Sequence, residues 1–240
     1  MNSSIIAYLL SFIVIVNAKL IMVIRHGEKI NDDVTDLSPK GKARAYCLIN
    51  VFGNNGTYAT PQKIFAQNPT EKKQSTRPRD TVVPLAEALG LQVDLSYTSG
   101  QIKKLTNYIA SSNDEVTLVS WNNDKIPEIA EKLGISNPPD WDSDTFDDIW
   151  MIYDNASSYN FNGNNVVKRA VYAGEGYTME IVKQNIDTCI NDNIKNYSNV
   201  VSSQQQSSGN SNDTSGSNKL NSSLIMMVFS LFVSAFILFY

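Results

Sequence analysis

Histidine is almost missing from this chain: His26 is the only one in 240 residues. Any histidine chemistry therefore uses His26 or does not occur, and zinc sites built on several histidines are excluded. Cysteine is nearly as scarce, with only Cys47 and Cys189. Two cysteines are too few for a disulfide framework. In an oxidising compartment they can pair and close a long loop; otherwise they are two buried thiols, and the sequence leaves both readings open. No run of basic residues occurs and the net charge is -4, which argues against nucleic acid as a partner. The acidic stretch at residues 141–148 lacks the glycine and terminal glutamate of an EF-hand loop, so it reads as a solvated turn. What remains is ordinary for a globular protein: 42% hydrophobic residues, and a length that suits one domain with appendages.

The appendages are at the two ends. Residues 5–16 are apolar apart from Ser11, too short a run to span a bilayer, and Val16-Asn17-Ala18 places small residues where a signal peptidase cuts. Residues 1–18 are read as a secretory signal, although no Lys or Arg precedes the apolar run; the alternative is a buried first strand or helix. Residues 201–218 are nearly all Ser, Gln, Asn, Gly and Asp, a composition that cannot build a core. Residues 224–240 are apolar except for Ser230 and Ser234. A leader, small residues, a polar spacer and a terminal apolar tail together form the pattern of a GPI-attachment signal, with Ser211, Asn212 and Ser215 as candidate attachment residues. The alternative is a simple transmembrane anchor, which usually carries basic residues on its cytosolic side. The expected layout is a signal at 1–18, a folded domain at 19–196, a polar stalk at 197–223 and a hydrophobic tail at 224–240. It sends the protein through the secretory pathway to the outer face of the plasma membrane, held by a lipid anchor. Glycosylation triplets at Asn55, Asn155, Asn196 and Asn212 suit that route, while the one at Asn68 is blocked by its proline.

Within residues 19–196, short apolar runs alternate with helical patterns. Strands are expected at 20–24, 63–66, 93–95, 116–120, 146–153 and 166–172. Helices are expected from Ser38, as N-cap, to 51, at 77–89 closed by Gly90, at 101–111, at 126–133 closed by Gly134, and as one amphipathic segment at 177–195. Strands separated by single helices indicate an α/β fold: a mainly parallel central sheet with helices on both faces. In such sheets, functional groups gather at the carboxyl ends of the strands. His26 follows the first strand and Trp121-Asn122-Asn123 follows a later one, so both are expected on one rim.

A histidine that attacks phosphorus needs a neutral ring nitrogen and a cationic pocket for the phosphoryl oxygens. Arg25 supplies a planar fork suited to phosphate, and Gly27 lets the backbone approach a ligand closely. The segment Arg25-His26-Gly27-Glu28 at the end of a strand resembles the signature of the histidine phosphatase superfamily, with its phosphoglycerate-mutase-like fold. Residues 37–45, Leu-Ser-Pro-Lys-Gly-Lys-Ala-Arg-Ala, are similar to that family's opening of its first helix. Residues 77–82, Arg-Pro-Arg-Asp-Thr-Val, resemble its second arginine segment, and residues 116–120 with Ile126-Pro127 its late strand and following helix. The four blocks come in order and cover most of residues 20–135.

The resemblance implies His26 as the nucleophile, with Arg25 and Arg77 as phosphate-binding forks. Arg44 and Arg79 are read as surface charges. The family's second histidine, after the late strand, falls here at Asn122 or Asn123. An asparagine amide can donate to a phosphoryl oxygen but carries no charge. Losing a charge-assisted contact to the transition state costs about 2–4 kcal/mol, roughly two to three decades in rate. Asp124 is the first candidate for the acid that protonates the leaving group, ahead of Asp94 and Glu28. The expected function is a cell-surface phosphomonoester hydrolase that works through a phosphohistidine at His26, with no metal or other cofactor and a small phosphorylated substrate. The alternatives are a non-catalytic phosphate- or phosphoester-binding domain, and an adhesion or spacer protein that uses only the fold.

Overall fold

Every residue of the first strand, β1 (Leu20–Arg25), is buried. A strand that is apolar on both faces belongs in the interior of a sheet, and β1 has a neighbour on each side. The computed structural model describes residues 19–31, 33–154, 170–174 and 176–196. The expected signal, stalk and tail lie outside the described residues, as do the triplets at Asn155 and Asn212 and most of the strand expected at 166–172.

After β1 come α1 (Pro39–Cys47), α2 (Ile49–Phe52), β2 (Lys63–Ala66), α3 (Arg77–Leu89), β3 (Val93–Asp94) and α4 (Ile102–Ser111). They are followed by β4 (Val116–Trp121), α5 (Ile126–Lys132), β5 (Asp148–Asp154), β6 (Ala170–Ala173) and β7 (Tyr177–Lys183). A further helix covers residues 187–196. Local chemistry sets the ends. Ser38 caps α1 by accepting the Gly41 N–H, with Pro39 in the first turn. Gly90 ends α3 in the left-handed region at φ 66°, where glycine carries no steric penalty.

The strands form one seven-stranded sheet in the order β3-β2-β4-β1-β5-β7-β6. The fold is α/β. β3, β2, β4 and β1 run parallel, and β5, β7 and β6 run antiparallel. The sheet is therefore mixed rather than mainly parallel. Only residues 174–176 join β6 to β7, and a parallel crossover needs a dozen residues or more.

The helix expected at 177–195 is also corrected: its first seven residues are β7. Thr178, Ile181 and Val182 are β-branched and favour a pleated strand. Side chains there alternate, Met179 and Ile181 entering one apolar cluster and Val182 another.

The same alternation organises β1. Leu20, Met22 and Ile24 join Phe52, Leu85 and Ile190 in one cluster. Ile21 and Val23 join Leu105, Ile129 and Trp150 in a second. Each fully buried side chain of this size contributes about 1.5–3 kcal/mol. Cys47 of α1 is bonded to Cys189 in the helix over 187–196, with Cα atoms 6.0 Å apart across 142 residues of chain. Residues 141–148 are not a simple solvated turn: Trp141 is buried, stacked on Trp150 at 5.3 Å.

Candidate functional site

Parallel pairing brings the carboxyl ends of β1, β4 and β2 to one rim. Arg25 is the register partner of Trp121, and the His26 N–H donates to the Trp121 carbonyl at 3.1 Å. His26 thus sits beside Asn122, the residue that leaves β4. On the far side of β4, the Gln67 N–H donates to the Ser120 carbonyl at 3.1 Å. The Gln67 side-chain oxygen accepts the Asn122 N–H at 3.5 Å. Gln67 is buried, and it is a site neighbour that sequence reasoning missed.

His26 is only 5% exposed. Its Nδ1 lies 2.7 Å from the Gly27 carbonyl oxygen. A carbonyl only accepts, so Nδ1 carries the proton and the lone pair is left on Nε2. Burial pushes the imidazole down to about 4; the Gly27 bond works against that, and the charges of Arg25, Arg77 and Lys29 reinforce it. His26 is therefore neutral, with its lone pair on Nε2, in the electrostatic field of three cations.

The turn that holds His26 is rigidly packed. The Gly27 N–H donates to the Thr81 hydroxyl at 2.8 Å, and that hydroxyl donates to the Arg77 carbonyl at 2.7 Å. Thr81 thereby fixes the first turn of α3, and with it Arg77, against the His26 segment. The Arg77 guanidinium also donates to the Val34 carbonyl at 2.7 Å. A Cβ on Gly27 would meet the Gly41 carbonyl oxygen at 3.1 Å, and one on Gly41 would meet the Glu28 nitrogen at 2.9 Å. Gly41 is thus required for the close approach of α1 to the His26 turn, and a side chain at Gly27 would be tight against it.

Arg25 is buried, and its guanidinium lies 3.7 Å from the centre of the Phe146 ring. Its Nη1 donates to the Ser143 carbonyl at 2.5 Å and to the Thr145 carbonyl at 3.3 Å. Its Nε has no hydrogen-bond partner among the described residues. Burial pushes this guanidinium down to about 10, with Glu28 opposing and Arg44 reinforcing. One edge of the fork thus holds the 143–146 loop, and Nε is buried without a partner among the described residues.

Arg44 overturns its reading as a surface charge. It is 4% exposed and grips Glu28 with two hydrogen bonds, of 2.9 and 2.8 Å. Its third donor reaches the Gln184 side-chain oxygen at 2.9 Å. Gln184 in turn donates to the Phe146 and Asp147 carbonyls at 3.2 and 2.7 Å. The loop that Arg25 holds from one side is therefore held from the other by this chain.

The acid candidates are separated by their partners. Burial alone would raise the Glu28 carboxyl, but the hydrogen bonds and charge of Arg44 outweigh it and leave the carboxyl below its ordinary value. Glu28 is held ionised. Asp94 is an ion pair with Lys63 at 2.7 Å on β3. Asp124 lies in the short 3-10 turn at Asn123–Lys125. Its side chain is 57% exposed and 3.8 Å from the Lys73 ammonium. Arg79 pairs with its neighbour Asp80 at 2.7 Å. Among the described residues no group of three His, Cys, Asp or Glu side chains could hold a metal ion. One cleft of about 730 Å³ is lined by Pro127, Glu131 and Asn137 and one of about 280 Å³ by Trp141, Trp150 and Tyr172; neither is lined by His26.

A scan against protein-family models finds no match to this chain, and a search of curated proteins finds none.

Proposed function

We propose that residues 19–196 form a phosphoglycerate-mutase-like domain, with helices covering both faces of the sheet, that binds phosphomonoesters and accepts their phosphoryl group on His26. The observation that carries this reading is the His26–Gly27 hydrogen bond, which leaves Nε2 as the bearer of the lone pair within range of Arg25, Arg77 and Lys29. The Nε2 lone pair forms a bond to phosphorus while the bond to the leaving oxygen breaks. Water then attacks phosphorus, and the nitrogen–phosphorus electron pair returns to Nε2. Arg77, Arg25 and an Asn122 or Asn123 amide bind the phosphoryl oxygens. The disulfide supports an oxidising compartment. It therefore fits the proposed export to the cell surface on a lipid anchor.

The test is hydrolysis of an aryl phosphate by the purified protein, with His26→Ala as control. Turnover at least about 10²-fold above that variant supports catalysis; equal turnover contradicts it. The second reading, a domain that binds phosphate without turning it over, is favoured by the uncharged Asn122 and Asn123 where the resemblance calls for histidine. Phosphate then raises the thermal midpoint of the wild type, while neither protein shows turnover.

A further inference from the structure

Arg25 and Glu28 flank the His26 turn, and a chain of contacts joins one to the other through a distant loop. Arg44 grips Glu28 and donates to the Gln184 side-chain oxygen. The Gln184 side chain donates to the Phe146 carbonyl, and its backbone N–H to the Asp147 carbonyl. The Phe146 ring lies under the Arg25 guanidinium at 3.7 Å, and Arg25 donates to the Ser143 and Thr145 carbonyls of the same loop. This loop has anchors besides Arg25. Trp141 is buried and stacked on Trp150, and its indole N–H donates to the Thr145 carbonyl at 2.9 Å. The Asp142 carboxylate accepts the Thr145 hydroxyl and the Asp144 N–H, each at 3.0 Å. Phe146 is thus held by the core on one side and by Gln184 on the other.

Resting on the proposed phosphate-binding role of Arg25, we infer that Phe146 is a positioning residue of the pocket: its ring, held through Gln184, fixes the plane of the Arg25 guanidinium before a phosphoryl group arrives. A guanidinium is attracted to an aromatic face, and the attraction grows as the pair is desolvated. Arg25 is only 4% exposed. An arginine side chain gives up much rotamer freedom when it is fixed. Seated on the ring and on two carbonyls, Arg25 gives that freedom up on folding, so ligand binding does not bear the cost again. Leucine would fill much of the space of Phe146 but has no negative π face; tyrosine keeps the face.

Inorganic phosphate binding is measured by calorimetric titration, with kcat and KM on an aryl phosphate beside it. The proteins are wild type, His26→Ala, Phe146→Leu, Phe146→Tyr and Gln184→Met, each at a temperature where circular dichroism shows it folded. The expected result is a phosphate Kd raised about tenfold in Phe146→Leu. KM rises by a similar factor while kcat falls far less, because Arg25 holds the phosphoryl group in ground state and transition state alike. Phe146→Tyr restores the affinity, and Gln184→Met weakens it by a smaller factor. In an Arg25→Gln background, Phe146→Leu has no further effect, since the ring acts through the guanidinium. Where phosphate binds without turnover, the calorimetric arm alone decides. An unchanged Kd in Phe146→Leu, or no recovery in Phe146→Tyr, overturns the inference. So does a lower Kd, which is the sign of a loop that competes with phosphate for Arg25. Each of these leaves the proposed function standing if turnover still depends on His26. No phosphate binding and no His26-dependent turnover in the wild type overturns both.

Discussion

The Nδ1 nitrogen of His26 and the carbonyl oxygen of Gly27 lie 2.7 Å apart. The contact selects the tautomer with the proton on Nδ1 and leaves the ring lone pair on Nε2, the nitrogen that the proposed phosphoryl transfer uses. It also sets a pH range. With the imidazole pushed down to about 4 by burial and by its cationic neighbours, Nε2 keeps its lone pair through mildly acidic conditions. We predict that kcat/KM on an aryl phosphate shows no loss attributable to histidine protonation near pH 6.5, and falls only toward pH 4. A pH–rate profile between 3.5 and 8 measures this; an acid limb centred near 6.5 would show that His26 is solvated and ordinary.

The same burial links His26 to stability. Its folded value lies below the unfolded one near 6.5, so the unfolded chain binds the extra proton between about 6.5 and 4 while the folded chain does not. The contribution is intact above pH 6.5 and lost as the pH falls toward 4, about 3 kcal/mol in all. Urea denaturation of wild type and His26→Gln at pH 7 and pH 4.5 should show the wild type losing more.

Arg44 and Glu28 form a buried, doubly hydrogen-bonded pair. Removing one partner leaves a buried charge uncompensated, which typically costs 3–5 kcal/mol. Arg44→Met should lower stability by about that much. Glu28→Gln combined with Arg44→Met should recover part of it. Arg44→Lys should rescue poorly, because a lysine cannot reproduce the fork that spans Glu28 and Gln184. Chemical denaturation of the four proteins tests the series.

The Cys47–Cys189 bond closes 142 residues of chain. On chain-entropy grounds a loop that long is worth about 4–5 kcal/mol. Reduction, or Cys47→Ser with Cys189→Ser, should lower the thermal midpoint markedly; an unchanged midpoint would contradict the pairing.

Much of the parallel half of the sheet can be read in the sequence because its signals are local. β1 is an unbroken apolar run, and α3 is marked at its end by Gly90, whose φ of 66° shows why. The misread element, β7, mixes Thr178, Ile181 and Val182 with Glu180 and Lys183. Its strand form comes from pairing with β5 and β6, which lie elsewhere in the sequence. The burial of Arg44 is hidden in the sequence for the same reason. Between Lys40, Lys42 and the solvent face of a helix it looks like surface, and Gln184, one of its partners, is 140 residues away. The 141–148 loop looked solvated because composition reports its carboxylates. Its function in the fold lies in its backbone: the Ser143 and Thr145 carbonyls accept Arg25, and the Phe146 and Asp147 carbonyls accept Gln184. Thr81 belongs to the Arg77–Val82 segment, and the structure shows it joining Gly27 to Arg77.

If His26 accepts a phosphoryl group, that group can be trapped and located on it. The protein is mixed with an aryl phosphate, quenched in alkali and mapped by peptide mass spectrometry. One acid-labile phosphoryl group is expected on the peptide that contains His26, absent from His26→Ala and removed by brief acid treatment. Turnover of the substrate with no phosphoryl group on that peptide, or an acid-stable one on a different residue, would contradict it.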